Sequence, residues 1–248
     1  MKVAAITGAG RGIGRGCALV FARAGFAVAL AEIEPSWGEK VAQELQAQGA
    51  QAFWWPADFR QEASIEEFFD QIDNRWGRLD VLVNNAGTNR PGNILETSLE
   101  DFESLLRLNL SSAFLCSRAA IPRLRRSGGG SIVHVSSLAG ILGQKEGVAY
   151  STSKAALIGL TRALALDHTR EGIRVNCIAP GNVDTPLMEE WIARQKEPEE
   201  VRKRIYEAQL VGRLATPEEI GEAVLFLATH PFLTGVILEV EGGARLGY

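Results

Sequence analysis

Val3-Ala4-Ala5-Ile6-Thr7-Gly8-Ala9-Gly10-Arg11-Gly12-Ile13-Gly14 stands almost at the start of the chain and decides how everything after it is read. Its first four residues are a short apolar run, the kind a parallel strand covered on both faces requires. Glycines then break the run, and from Cys17 through Leu19, Val20 and Phe21 to Gly25 the spacing is helical. Strand, glycine-rich turn and helix in that order gather backbone N–H groups and a helix N-terminus around one point. A pyrophosphate binds at such a point, and residues without a Cβ let it come close. The spacing is Gly-x-x-x-Gly-x-Gly, which departs from the general dinucleotide pattern Gly-x-Gly-x-x-Gly. A tight strand–helix connection without a ligand therefore competes with the phosphate reading.

The same alternation runs through the rest of the chain. Further strands are expected at 26–31, 51–55, 80–83, 131–136, 173–179 and 236–240, with helices at 37–48, 62–76, 99–126, 149–170 and 216–228. The last helix is announced by Thr216-Pro217-Glu218-Glu219, a capping residue followed by Pro and then an acid in the first turn. This pattern predicts an α/β fold: a single Rossmann-type domain over 1–248, with a doubly wound parallel sheet of seven strands flanked by helices. Residues 186–211 differ in character. Leu187, Met188, Trp191 and Ile192 stand beside the charge-rich Lys196-Glu197-Pro198-Glu199-Glu200, and the segment is read as a substrate lid.

Composition bounds the function classes. With 46% hydrophobic and 23% charged residues, the 248-residue chain has the make-up of a soluble globular protein with a substantial core. A net charge of −4 gives no footprint for nucleic acid, and no apolar run is long enough for a membrane span. Cys17, Cys116 and Cys177 form no Cys-x-x-Cys pair and each lies in an apolar stretch. Reduced buried thiols are expected, which suits a cytoplasmic location, and no signal segment is expected before the first strand. The three histidines are far apart, so no metal site is expected.

The chemistry gathers at Tyr150 and Lys154, four residues apart at the start of a helix and so on one face. A phenol with an ordinary pKa near 10 is a poor proton carrier at neutral pH, and an ammonium beside it should pull that value down. Ser137, at the end of the preceding strand, can orient a substrate oxygen toward the phenol. Glu32 ends the second strand about twenty residues beyond the glycine loop, where a carboxylate can accept from an adenosine ribose; a solvated strand end explains it as well. In the run Asn84-Asn85-Ala86-Gly87 the amides can equally serve the loop backbone. Asn109 interrupts Leu105, Leu106, Leu108 and Leu110, and either faces solvent or has buried partners.

In order and spacing, Thr7 to Gly14, Asn84 to Gly87, Ser137, Tyr150-x-x-x-Lys154 and Pro180-Gly181 resemble the short-chain dehydrogenase/reductase family over essentially the whole chain. The resemblance implies that Tyr150 is the acid/base, that Lys154 lowers its pKa and holds the nicotinamide ribose, and that Ser137 fixes the substrate oxygen. Asn109 would support a water-filled proton path to Lys154. Gly8, Arg11, Gly12, Ile13, Gly14, Glu32 and Phe59 would bind the cofactor, with Asp58 at the adenine. Asn85, Ala86, Gly87, Pro180, Gly181, Val183 and Thr185 would line the rest, with Thr185 at the carboxamide. Gln144 and Asn182 are candidate substrate contacts. Two departures stand out: Val240-Glu241-Gly242-Gly243, where Asp is more usual in second place, and a shortened His230-Pro231 segment.

The expected activity is hydride transfer between a nicotinamide cofactor and a secondary alcohol or ketone such as a sugar or polyol. NAD is expected over NADP because Glu32 would repel a 2′-phosphate, although Arg11 could bind one; NADP remains possible. The alternatives are an NADPH-linked 3-oxoacyl-carrier reductase, with Arg125 and Arg126 facing the carrier, and a non-catalytic nucleotide-binding regulator. A homotetramer is implied, with the helices at 99–126 and 149–170 and the last strand at subunit contacts.

Overall fold

The structure, a computed structural model, describes residues 1–247. Seven parallel strands form one sheet: β1 (Val3–Thr7), β2 (Ala27–Ala31), β3 (Ala52–Trp55), β4 (Val81–Asn84), β5 (Gly130–Val135), β6 (Ile173–Pro180) and β7 (Ile237–Val240). Their order is β3-β2-β1-β4-β5-β6-β7, so the winding reverses between β1 and β4 and opens a crevice at their carboxyl ends. Register is set by side-chain alternation. Ala4 and Ile6 of β1, with Val28 and Leu30 of β2, face one helical layer, while Val3, Ala5, Ala27 and Ala29 face the other.

The first layer holds α1 (Gly12–Arg23), α2 (Pro35–Ala47) and α10 (Pro217–Thr229). Here α1 and α10 approach so closely that a Cβ on Gly16 would lie 2.3 Å from the Pro217 carbonyl oxygen. Thr216 and Glu219 form the expected capping box on α10. The second layer holds α3 (Glu62–Trp76), α4 (Leu99–Leu106), α5 (Ser112–Arg126) and α7 (Val148–His168). Its core packs Phe68, Phe69 and Ile72 of α3 against Ala120 and Leu124 of α5.

Three details add to the expectation. The helix at 99–126 is not continuous: residues Arg107–Ser111 form a π turn between α4 and α5, with Asn109 on it. The arginines near the end of α5 are all engaged in ion pairs. Arg123 is buried and bonds Asp73 at 2.9 Å and Asp70 at 2.8 Å, Arg126 reaches Asp73 at 2.7 Å, and Arg125 holds Glu171 at 2.6 and 2.8 Å. Finally, the loop after β5 contains a short helix, α6 (Ala139–Leu142).

Residues 186–211 build two helices, α8 (Pro186–Ala193) and α9 (Pro198–Glu207), joined by Arg202 to Glu189 at 2.6 and 2.8 Å. All three cysteines are free and buried, and burial pushes the Cys17 thiol up to about 12. Among the described residues no helix is long and apolar enough to cross a membrane, and no side-chain cluster could hold a metal ion.

Candidate active site

A cleft of about 370 Å³ lies at the reversal of the sheet, with Glu32 and Asp58 at one end and Tyr150 and Lys154 at the other. The glycine loop forms its floor. Gly8 and Gly12 adopt φ of +62° and +53°, which other residues rarely tolerate. A Cβ on Gly8 would come within 3.0 Å of the Ala86 Cα. Behind the loop, α1 begins at Gly12 with no side chain capping its first turn, so backbone N–H groups there are free to meet an anion. Gly14 does not line the cleft; a Cβ on it would lie 2.1 Å from the Gly8 carbonyl oxygen, so its role is close packing.

The asparagine run sews this floor to the neighbouring strand. Thr7 Oγ1 accepts from the backbone N–H groups of Asn85 and Ala86, both at 2.9 Å. The Asn85 amide donates to the carbonyls of Thr7 at 3.0 Å and Gly8 at 2.9 Å. The backbone role weighed from sequence is therefore present, and Asn85, Ala86 and Gly87 also line the cleft.

Glu32 is only 7% exposed, which rules out a solvated strand end. Its carboxylate accepts from the backbone N–H of Gly10 at 3.1 Å, Ile33 at 2.9 Å and Glu34 at 3.2 Å, fixing its position at the rim. Asp58 accepts from Arg60 Nε at 2.9 Å and Arg60 Nη2 at 3.2 Å, and that hydrogen-bonded guanidinium holds its carboxyl below the usual range. Arg11 neither points freely to solvent nor pairs with Glu32. Its guanidinium lies 4.3 Å from the Trp37 ring centre and donates to Glu190 of α8 at 2.5 Å. An uncapped helix N-terminus, a glycine floor and a fixed rim carboxylate in one extended cleft fit a dinucleotide.

At the other end, α7 places Tyr150 and Lys154 on one face, with Lys154 Nζ 5.7 Å from the Tyr150 ring centre. Lys154 is buried, donates to the Val135 carbonyl at 2.9 Å, and its own carbonyl accepts from Ser136 Oγ at 2.7 Å. Burial lowers Lys154 to about 8. The expectation of a depressed phenol is corrected: burial raises Tyr150 above its ordinary 10.0, and the Ser137 hydroxyl pulls only partly the other way. Desolvation penalises the charged form of each group, and it is the largest cause of both shifts.

Asn109 is 1% exposed and does not face solvent. Its Oδ1 accepts from Thr88 N at 2.9 Å, while Nδ2 donates to Thr88 O at 2.9 Å and to Ser153 Oγ at 3.1 Å. Ser153 in turn donates to the Tyr150 carbonyl at 2.7 Å, so the π turn braces the first turn of α7. A Cβ on Gly87 would sit 3.0 Å from Asn109 Oδ1 and 3.6 Å from Lys154 Nζ, which marks the point where the two side chains converge.

The family model described as enoyl-(acyl carrier protein) reductase matches residues 8–245. Relatives cover almost the whole chain. L-fucose dehydrogenase of Oryctolagus cuniculus is 41% identical over 99% of this chain and 86% of its own. An uncharacterized oxidoreductase of Thermotoga maritima is 40% identical over 98% and 97%. Cis-4-hydroxycyclohexanecarboxylate dehydrogenase of Sinomonas cyclohexanicum is 38% identical over 98% and 96%. The chain belongs to the short-chain dehydrogenase/reductase family. It is an enzyme, a nicotinamide-dependent oxidoreductase acting on CH–OH groups.

Not every residue expected from the short-chain dehydrogenase/reductase resemblance lines the cleft. Gly12, Ile13, Phe59 and Thr185 do. Pro180, Gly181, Val183, Gln144 and Asn182 do not; Ser137 is not a lining residue either, but its hydroxyl reaches the Tyr150 side chain. Gly181 serves packing: its N–H donates to Val240 O at 3.0 Å, and a Cβ would meet Glu241 at 2.9 Å. Glu241, the departure from the usual motif, accepts from Arg245 N at 2.9 Å and caps the last turn. Sequence reasoning passed over Thr88, Trp37 and Ser153. Ser153 lies between the two catalytic candidates, and its position inside Tyr150-x-x-x-Lys154 is the one signal that could have found it.

Proposed function

We propose that the protein is an NAD-preferring dehydrogenase of polar secondary alcohols, of the sugar or polyol class, with Tyr150 as its acid/base. The observation that carries this reading is that Tyr150, Lys154 and the fixed Glu32 carboxylate border one continuous cleft. One line supports a polar substrate: L-fucose dehydrogenases stand among the relatives at 39–41% identity.

The bound nicotinamide supplies the hydride acceptor or donor. The chain supplies the rest. In the alcohol-oxidising direction Ser137 holds the substrate oxygen, and Tyr150 Oη takes its hydroxyl proton. Lys154 stabilises the phenolate as an ammonium, and its anchorage on Val135 O fixes that charge beside the ring. Asn109 supports the path by which the proton leaves toward solvent. In this reading α8 and α9 cover the substrate as a lid, and the enzyme works as a homotetramer. The carrier-reductase alternative rests on Arg125 and Arg126, which pair with Glu171 and Asp73 while staying about half exposed.

Preference for NAD rests on Glu32. At an effective dielectric of about 20, unit like charges roughly 4 Å apart repel by about 4 kcal/mol, and half of that still exceeds a tenfold preference. A panel of sugars, polyols and simple alcohols, L-fucose included, assayed with both cofactors tests the reading. Expected is turnover of polar secondary alcohols with NAD favoured in kcat/KM, and a Glu32→Ala enzyme with that preference eroded. Equal use of NADP by the wild type, or turnover of 3-oxoacyl thioesters alone, would refute it.

A further inference from the structure

Of the residues lining the cleft, three are cationic: Arg11, Arg60 and Lys154. Lys154 belongs to the catalytic end. Arg60, near the adenosine end, is held by Asp58 through two guanidinium contacts, at 2.9 and 3.2 Å. Arg15, one turn into α1, is likewise committed, bonding Glu44 at 2.6 Å and lying 3.8 Å from Glu218. That leaves Arg11 as the cation able to meet a phosphate on the adenosine ribose, since it stands in the glycine loop beside Glu32. Its guanidinium is instead fixed from two sides. The Trp37 face lies 4.3 Å away, and Glu190 accepts from Nη1 at 2.5 Å. Glu190 sits on α8, within the segment read as the lid and outside the nucleotide-binding half of the sequence.

We infer that Glu190 is a cofactor-specificity residue that acts through Arg11. By holding the guanidinium against Trp37, it withholds from a ribose 2′-phosphate the cation that would offset the Glu32 charge. Discrimination against NADP then has two parts, a repulsive carboxylate at the rim and an arginine whose charge is already taken up by the lid. A specific interface commonly combines such a repulsive element with a missing attractive one. Glu190 is a positioning residue here, since it touches neither reactant. The inference rests on the adenosine being seated at Glu32.

Titration calorimetry with adenosine 2′,5′-bisphosphate and with 5′-AMP tests it without turnover, the readout being the ratio of the two dissociation constants. In Glu190→Gln the ratio should move toward the bisphosphate by about tenfold, the worth of a charge-assisted arginine–phosphate contact. The gain should shrink with added salt, as expected for partly exposed charges. Adding Arg11→Met to Glu190→Gln should cancel it, whereas Arg11→Met alone should leave the ratio within about twofold of wild type. A Glu190→Gln ratio within twofold of wild type overturns the inference, as does a gain that survives loss of Arg11. So does a large drop in Arg11→Met alone, which would mean that the arginine already serves the phosphate. Glu32→Gln separates the premises. If it shifts the ratio and Glu190→Gln does not, only the role of Glu190 is lost; if neither shifts it, the adenosine seat itself is wrong and both readings fall.

Discussion

Two buried basic groups set the pH behaviour, in different ranges. Tyr150 is raised above 10.0 and Lys154 is lowered from 10.5 to about 8, so the pair releases its first proton near 8. Phenol with amine and phenolate with ammonium share that proton count, so loss of this proton opens the way to the reactive phenolate. Alcohol oxidation needs the form that has lost the proton. Its kcat/KM should therefore rise with pH through about 8, and a profile flat from pH 6 to 10 would contradict the assignment. Tyr150→Phe should lower kcat by about 10²–10⁴-fold while leaving cofactor affinity nearly unchanged in a titration.

His134 gives the second range. It is fully buried on β5, its Nδ1 accepts from the Asn84 amide Nδ2 at 3.1 Å, and its Nε2 is without a partner. Burial first, and the Lys154 charge second, hold it down at about 3 instead of 6.5. Between those values the unfolded chain binds a proton that the native state refuses, so stability is full above 6.5 and falls as pH drops through the window. The slope is about 1.4 kcal/mol per pH unit for one such group. Replacing it by Gln should flatten the acid limb of denaturant-derived stability between pH 6 and 4; superimposable slopes would show that His134 does not govern it.

Among the secondary-structure elements, the π turn Arg107–Ser111 connects packing to function. A π turn inserts a residue into the helical ladder, and such turns recur at functional sites. Here it turns the Asn109 amide inward, where one side chain satisfies the Thr88 backbone N–H and C=O and also bonds Ser153. Asn109→Ala orphans those groups at about 1–3 kcal/mol each. The expected result is a clearly lower Tm together with a kcat loss larger than any change in KM, because Ser153 holds the Tyr150 backbone. A variant with native Tm and native kcat would show that the brace is dispensable.

Considered as one body, the protein leaves apolar side chains exposed where a lone chain gains nothing from them. Leu99 and Phe114 are exposed on α4 and α5, Leu166 is 84% exposed on α7, and Phe226 on α10, Phe232 before β7 and Leu246 after it are exposed too, with Phe232 at 92%. Burying a side chain of this size is worth about 1.5–3 kcal/mol. The two regions match the helix pair and the last strand implicated by the family resemblance, and a homotetramer would cover both. Sedimentation velocity at micromolar concentration should show the tetramer. A monomer would remove this prediction without touching the chemistry.

The order of strands and helices, the glycine floor, and the positions of Tyr150 and Lys154 could all be read from the chain before any fold was known. Each is a local pattern: a strand run such as Val3 to Ile6 and a helix spacing such as Ile65, Phe68, Phe69 and Ile72 repeat within a few residues, and Tyr150 and Lys154 are one helical turn apart. What could not be read depends on partners distant in sequence. Arg11 meets Glu190, 179 residues away, and Asn109 meets Ser153, 44 away; no local spacing encodes either. The sign of the Tyr150 shift belongs to the same class. Proximity to Lys154 is visible in the sequence and argues for a lowered pKa, but burial argues the other way, and burial is decided only by tertiary packing.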